Sequence, residues 1–225
     1  MWVPMRLLLM FWCALSVALL TQPACGQDGA EDEYGQLLED GRRKLLAGRL
    51  LEAEQTFEEL FEYLVEDEVD EDSRYYVGAT VGLQSIEVRR GGYEGARRAL
   101  LRLSERARQD PEVVLLLAES HRRTGDYAEA ASLLRGLSER YPEDARARHR
   151  LAAVLQGDGA RAEAQDLWKS NAELKTGDGD AVQLAYIGRA FFELGGRSNY
   201  EAASRLFVES MKLAPDRPEA RTALG

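Results

Sequence analysis

A short phrase recurs along this chain at a spacing that a stack of like units satisfies. Gly125-Asp126-Tyr127-x-x-Ala130 has counterparts in Gly48-x-Leu50-x-x-Ala53, Gly91-Gly92-Tyr93-x-x-Ala96, Gly159-x-Arg161-x-x-Ala164 and Tyr200-x-x-Ala203. Ala96 to Ala130 is a step of 34 residues, and Ala130 to Ala164 is another. Ala53 to Ala96 is 43 and Ala164 to Ala203 is 39. The longer steps have visible causes. An acidic insertion, Glu66-Asp67-Glu68-Val69-Asp70-Glu71-Asp72, separates the first two units, and extra residues sit near Gly179-Asp180 and around Gly196-Arg197-Ser198. A fixed period of this length means stacked units, each unable to bury its apolar face alone.

Within a unit the apolar spacing is helical. In residues 111–144, Pro111 opens a helix, where its missing N–H costs nothing. Val114, Leu117, Ala118 and His121 line one face, and Gly125 ends the helix in the left-handed conformation that a glycine accepts. A second helix follows with Ala130, Leu134 and Leu137 on its inner stripe, and Pro142 stops it. The aligned alanines mark the closest approach of the two helices, where a small side chain is needed. The glycines at 48, 91, 125, 159 and 195 fall at the turn between them, and Pro111, Pro142, Pro215 and Pro218 fall at unit boundaries. Turn residues and apolar period agree throughout.

On these residues the chain resembles the tetratricopeptide repeat family. Its pattern is matched at Val114, Leu117, Ala118, Gly125, Tyr127, Ala130 and Pro142, and in the last unit at Leu184, Ile187, Gly188, Phe191, Ala203, Phe207 and Pro215. The first unit matches at Leu37, Gly41, Gly48, Ala53 and Phe57. Glu87, Arg161 and Asn171 depart from it. The resemblance implies an all-α fold, a right-handed α-solenoid of about five helix–turn–helix units near 34–67, 77–110, 111–144, 145–178 and 181–217. The acidic insertion 66–76 reads as a solvated linker, 27–33 as a disordered segment, and 218–225 as a partial helix or stub cap whose apolar edge would favour self-association.

The resemblance further implies a concave surface, lined by the first helix of each unit, that holds a protein or peptide. Counting outward from the matches places Val81, Ser85 and Arg89 on it, then Glu119, Arg122 and Arg123, then Arg146, His149, Arg150 and Ala153, and last Tyr186, Arg189 and Phe192. Six arginines and a histidine on one face contrast with a formal net charge of −10. Arginine's fork suits a carboxylate, so the expected partner is acidic. The acidic balance argues against nucleic acid, whose phosphates need basic excess. The lysine and asparagine clamp of the chaperone-binding subgroup is missing, since the asparagines are Asn171 and Asn199 alone.

The first 26 residues are a different material. Arg6 is their only charge, residues 7–20 are continuously apolar, and small, turn-prone residues follow to Gly26. This order is that of a secretory signal peptide, and its apolar run is short for a membrane span. The expectation is an exported chain, periplasmic, envelope-associated or secreted, cut after Gly26. Cys25 is the alternative point for a lipid anchor, although Gln22, Pro23 and Ala24 before it match that signal poorly. No HExxH, phosphate loop or nucleophile elbow occurs, and Asp178-Gly179-Asp180 lacks calcium-loop spacing. We therefore expect no catalysis, cofactor or metal. The competing expectation is a repeat portion of, or accessory to, an envelope hydrolase whose catalytic domain lies elsewhere.

Overall fold

The computed structural model describes residues 27–174 and 180–215, with side chains from residue 33 onward. The expected signal segment, Cys25, the stretch 175–179 and the expected stub 218–225 lie outside the described residues. The chain divides into two compact units, Met1–Gln36 and Leu37–Gly225. Of the first, the described residues 27–36 are helical; the second holds the repeat array.

Ten α-helices follow one another among the described residues: α1 (Gln27–Leu46), α2 (Leu50–Glu66), α3 (Arg74–Arg89), α4 (Tyr93–Leu101), α5 (Pro111–Arg123), α6 (Tyr127–Arg140), α7 (Ala145–Gly157), α8 (Arg161–Ala172), α9 (Ala181–Leu194) and α10 (Arg197–Leu213). No strand occurs among these residues. Each odd helix and its successor make one unit, so the array is an α-solenoid of five helix pairs.

The same turn chemistry closes each of the first four pairs. Gly48, Gly91, Gly125 and Gly159 take φ of +76°, +91°, +84° and +91°. Just after each glycine a backbone N–H reaches back over the helix end: Arg49 to Lys44 O, Gly92 to Glu87 O, Asp126 to His121 O and Ala160 to Leu155 O, at 2.8–3.0 Å. These bonds satisfy carbonyls that the helix leaves over. The starts of odd helices are fixed differently. Side chains of Ser73, Asp110, Asp144 and Asp180 accept from N–H groups in the first turns of α3, α5, α7 and α9, as capping requires.

Packing follows the predicted small residues. Ala53, Ala96, Ala130 and Ala164 are fully buried, and Ala203 is 1% exposed. Residues from α5 to α9 share one core in which Leu134, Leu151, Val154 and Trp168 meet. In the first unit a Cβ on Gly41 would stand 2.6 Å from the Phe57 ring, and in the fifth a Cβ on Gly188 would stand 2.7 Å from Phe207. Glycine there lets the ring of one helix lie on the backbone of the other. Between units, Gly82 of α3 opens the same kind of space for Phe57, whose ring a Cβ would meet at 2.5 Å.

Three expectations need correction. Helix α1 begins at Gln27, through the stretch 27–33 read as disordered; no proline interrupts residues 27–46, so helical hydrogen bonding continues N-terminally. The second unit starts at Arg74 rather than 77, because Ser73 caps it there by accepting from Tyr76 N at 3.2 Å. The acidic insertion is ordered. Val69 N bonds Leu64 O at 2.9 Å to close α2, Asp72 N bonds Asp70 Oδ1 at 2.8 Å, and Ser104 Oγ donates to Asp72. These bonds tether it, where its charge alone reads as a free linker.

Candidate functional site

The sequence-predicted residues lie on the odd helices, which the units stack side by side. Their side chains meet across α5, α7 and α9. Glu119 of α5 takes a two-point hydrogen bond from Arg122, Nε to Oε2 and Nη2 to Oε1 at 2.8 Å each, and a third from Arg123 Nε at 2.7 Å. Burial alone would raise the Glu119 carboxyl, but these two arginines outweigh it and hold it below the usual carboxylate range, with Arg150 of α7 adding its field. Arg146 of α7 reaches Glu112 of α5 and stands 3.6 Å from Asp144. Burial opposes its charge, yet these carboxylates reinforce it.

The α7–α9 half is built around rings. His149 lies with its ring centroid 5.5 Å from that of Tyr186. Tyr186 is buried, and the Arg189 guanidinium carbon stands 5.1 Å from its ring centre, a cation–π placement. His149 Nδ1 is buried and has no hydrogen-bond partner among the described residues. Burial lowers the proton affinity of this imidazole, Arg189 and Arg150 lower it further, and its pKa falls to about 4. His149 is therefore neutral at pH 7.

Two candidates are engaged elsewhere. Arg89 donates to Leu45 O at 2.8 Å, where a cation suits the C-terminal end of α1. Phe192 is exposed and lies 5.4 Å from Tyr200 of α10, ring centre to ring centre. Arg123 also stands 6.0 Å from the Tyr93 ring centre. The face that remains sets five arginines (122, 123, 146, 150 and 189) against three carboxylates (112, 119 and 144).

Sequence reasoning missed those carboxylates as neutralising partners. Their signal was present. Glu119 precedes Arg122 and Arg123 by three and four residues, the spacing of helix neighbours. Glu112 precedes Arg146 by 34 residues, one repeat period, which brings equivalent positions of stacked units together. His121, outside this face, is paired with Asp126 at 2.9 Å. Among the described residues no group of three or more His, Cys, Asp or Glu could hold a metal ion, and no helix is long and apolar enough to cross a membrane.

The tetratricopeptide repeat family model matches residues 111–154, the third unit and the start of the fourth. No curated protein matches the chain. Among solved structures, TTC0263, a thermophilic TPR protein of Thermus thermophilus, aligns with a TM-score of 0.57 at 18% identity, covering 84% of this chain and 96% of that one. MamA from Desulfovibrio magneticus RS-1 aligns at 0.49 and 15%, covering 82% and 96%. YrrB, described as a TPR protein with an unusual peptide-binding site, aligns at 0.46 and 16%, covering 91% and 99%. The likeness at these identities is one of fold.

Proposed function

The chain being a tetratricopeptide-repeat protein, we propose that it is a non-catalytic scaffold that holds an acidic protein segment against α5, α7 and α9. Repeat arrays present extended surfaces and bind through them. The observation that supports an acidic partner is the charge on this face: five arginines against three carboxylates, in a chain whose net charge is −10. Arg150 and Arg189 are the recognition residues of this reading, because the positive field felt at His149 is theirs. Arg122, Arg123 and Arg146 hold Glu119, Glu112 and Asp144. Tyr186, with Arg189 over its ring, gives an apolar wall beside the anion seat.

The test is binding of acidic and basic octapeptides, by calorimetry at low and moderate salt, to the parent chain and to an Arg150→Glu, Arg189→Glu double variant. Hydrogen bonds to charged groups contribute about 1.5–3 kcal/mol each, so the double variant should bind the acidic peptide at least tenfold more weakly while its helical circular dichroism stays unchanged. Binding should also weaken with salt. Equal binding by both proteins, or preference for the basic peptide, refutes the reading.

The site of action in this proposal is outside the cytoplasm, on the charge, apolar and small-residue order of residues 1–26. N-terminal sequencing of the protein recovered from its cells should begin at Gln27; a chain that keeps Met1 refutes export by cleavage.

A further inference from the structure

We infer that the seat between α7 and α9 takes up a proton together with its acidic ligand, so that His149 makes capture of the partner tighter as pH falls. The inference rests on the acidic-segment reading above and adds a regulation to it.

The geometry places one titratable ring among fixed charges. From α9, Tyr186 and Arg189 face His149; on its own helix Arg146 and Arg150 flank it; from α5, Glu112 engages Arg146, and Glu119 lies in the field of Arg150. Arg146 is held by two carboxylates and Glu119 is shared by two other arginines. The positive field that reaches the imidazole is that of Arg189 and Arg150. Its Nδ1 is sealed away, with no hydrogen-bond acceptor among the described residues to stabilise a bound proton. Burial and this field both favour the neutral ring, and its pKa of about 4 follows from them.

A carboxylate seated across Arg150 and Arg189 opposes the positive field at the ring. It need not touch the imidazole, because the interaction is Coulombic and is weakly screened at a partly buried site. The sign follows from linkage. The complex holds the proton more tightly than the free protein, so the complex gains relative to the free state as pH falls toward 4. If the ligand restores the ring to its ordinary value of 6.5, affinity rises roughly 10- to 30-fold from pH 7.5 to pH 5.0. Below that window the ligand's own carboxylates protonate and the gain ends.

The experiment is calorimetry on the full chain with an octapeptide of alternating glutamate and alanine, at pH 7.5, 6.0 and 5.0. Each titration is run in two buffers of different ionisation enthalpy, which counts protons taken up. His149→Gln, neutral at every pH, is measured beside it and subtracts the general change in protein charge. The expected result is uptake approaching one proton per peptide near pH 5 in the parent, with a tenfold or larger gain in affinity that the variant lacks. Peptide binding with no proton uptake, or with the same uptake and pH profile in His149→Gln, overturns the inference and leaves the acidic-segment reading standing. No binding of this peptide at any of the three pH values overturns that reading, and the proton linkage with it.

Discussion

Gly82→Ala puts the packing account at greatest risk. Gly82 lies inside α3, where a methyl group in place of hydrogen gains about 0.5–1 kcal/mol of helix propensity. Its Cβ would stand 2.5 Å from both Cε2 and Cζ of Phe57 and 2.7 Å from Cε1. The ring has no room to retreat. Phe57 is fully buried, and its other neighbour is the backbone of α1 at Gly41. Forcing a carbon into a packed core costs about 1–3 kcal/mol, so the net expectation is a loss of about 1–2 kcal/mol. Gly136→Ala is the internal control: nothing lies within 4 Å of its Cβ, and propensity alone should make it more stable by about 0.5–1 kcal/mol. Urea denaturation of the full chain, followed by circular dichroism, gives both values. Hydrogen exchange should locate the loss in α2 and α3, because repeat units couple to nearest neighbours. Phe57→Leu in the Gly82→Ala background should recover part of the loss, a coupling that contact requires. If Gly82→Ala stabilises the protein as Gly136→Ala does, Phe57 does not bridge the first two units and the argument fails.

Three further outcomes follow from single sites. Glu68 holds φ of +52° at the end of α2, a conformation costing roughly 1 kcal/mol outside glycine, so Glu68→Gly should raise the denaturation free energy by up to about 1 kcal/mol; a loss would reject the strain. Asp180 accepts from Val182 N and Gln183 N at 2.9 and 3.0 Å, and Asp180→Ala should cost about 1 kcal/mol where Asp180→Asn costs little; equal stabilities of the two variants would show that the cap is idle. His149 is neutral in the fold down to about pH 4 and charges near 6.5 when unfolded. The unfolded chain thus binds the extra proton between these values, and stability falls as pH drops through them. Between pH 7 and pH 5 the parent should lose about 1–2 kcal/mol more than His149→Gln, after allowing for partial solvent screening; parallel pH profiles would remove His149 from the acid sensitivity.

The fold was legible because several independent signals share one period. Gly48, Gly91, Gly125 and Gly159 each announce a helix end, and the positive φ at all four is the physical reason no other residue suits. Ala53, Ala96, Ala130, Ala164 and Ala203 announce the close approach, and all five are buried. Where the reading missed, a local bond decided against composition. The acidic insertion has the charge of a linker, yet Ser104 and the closing bonds of α2 hold it. The start of α3 was set by Ser73, a capping signal that apolar periodicity does not weigh.

The candidate site was legible in position and misleading in charge. Counting along helix faces placed Arg122, Arg146, His149, Arg150, Tyr186 and Arg189 on stacked odd helices, and the structure joins them through Glu119, Glu112 and the rings of α7 and α9. Counting arginines alone overstated the basic character, because complementary charges recur at helix spacing and at the repeat spacing. That pairing changes what recognition can mean here. A partner carboxylate that displaced Glu119 from Arg122 and Arg123 would exchange one set of charge-assisted hydrogen bonds for an equivalent set, with little net gain. Affinity must therefore come from where the field of the free protein stays net positive. The His149 ring reports such a place, since the arginines that depress its proton affinity, Arg189 and Arg150, act there without an opposing carboxylate among the causes of its shift. Among the residues of this face His149 is also the one whose charge changes between pH 4 and pH 7. Selectivity for an acidic segment, and its dependence on pH, consequently belong to the α7–α9 half of the surface, while the α5 half holds its own charges in place.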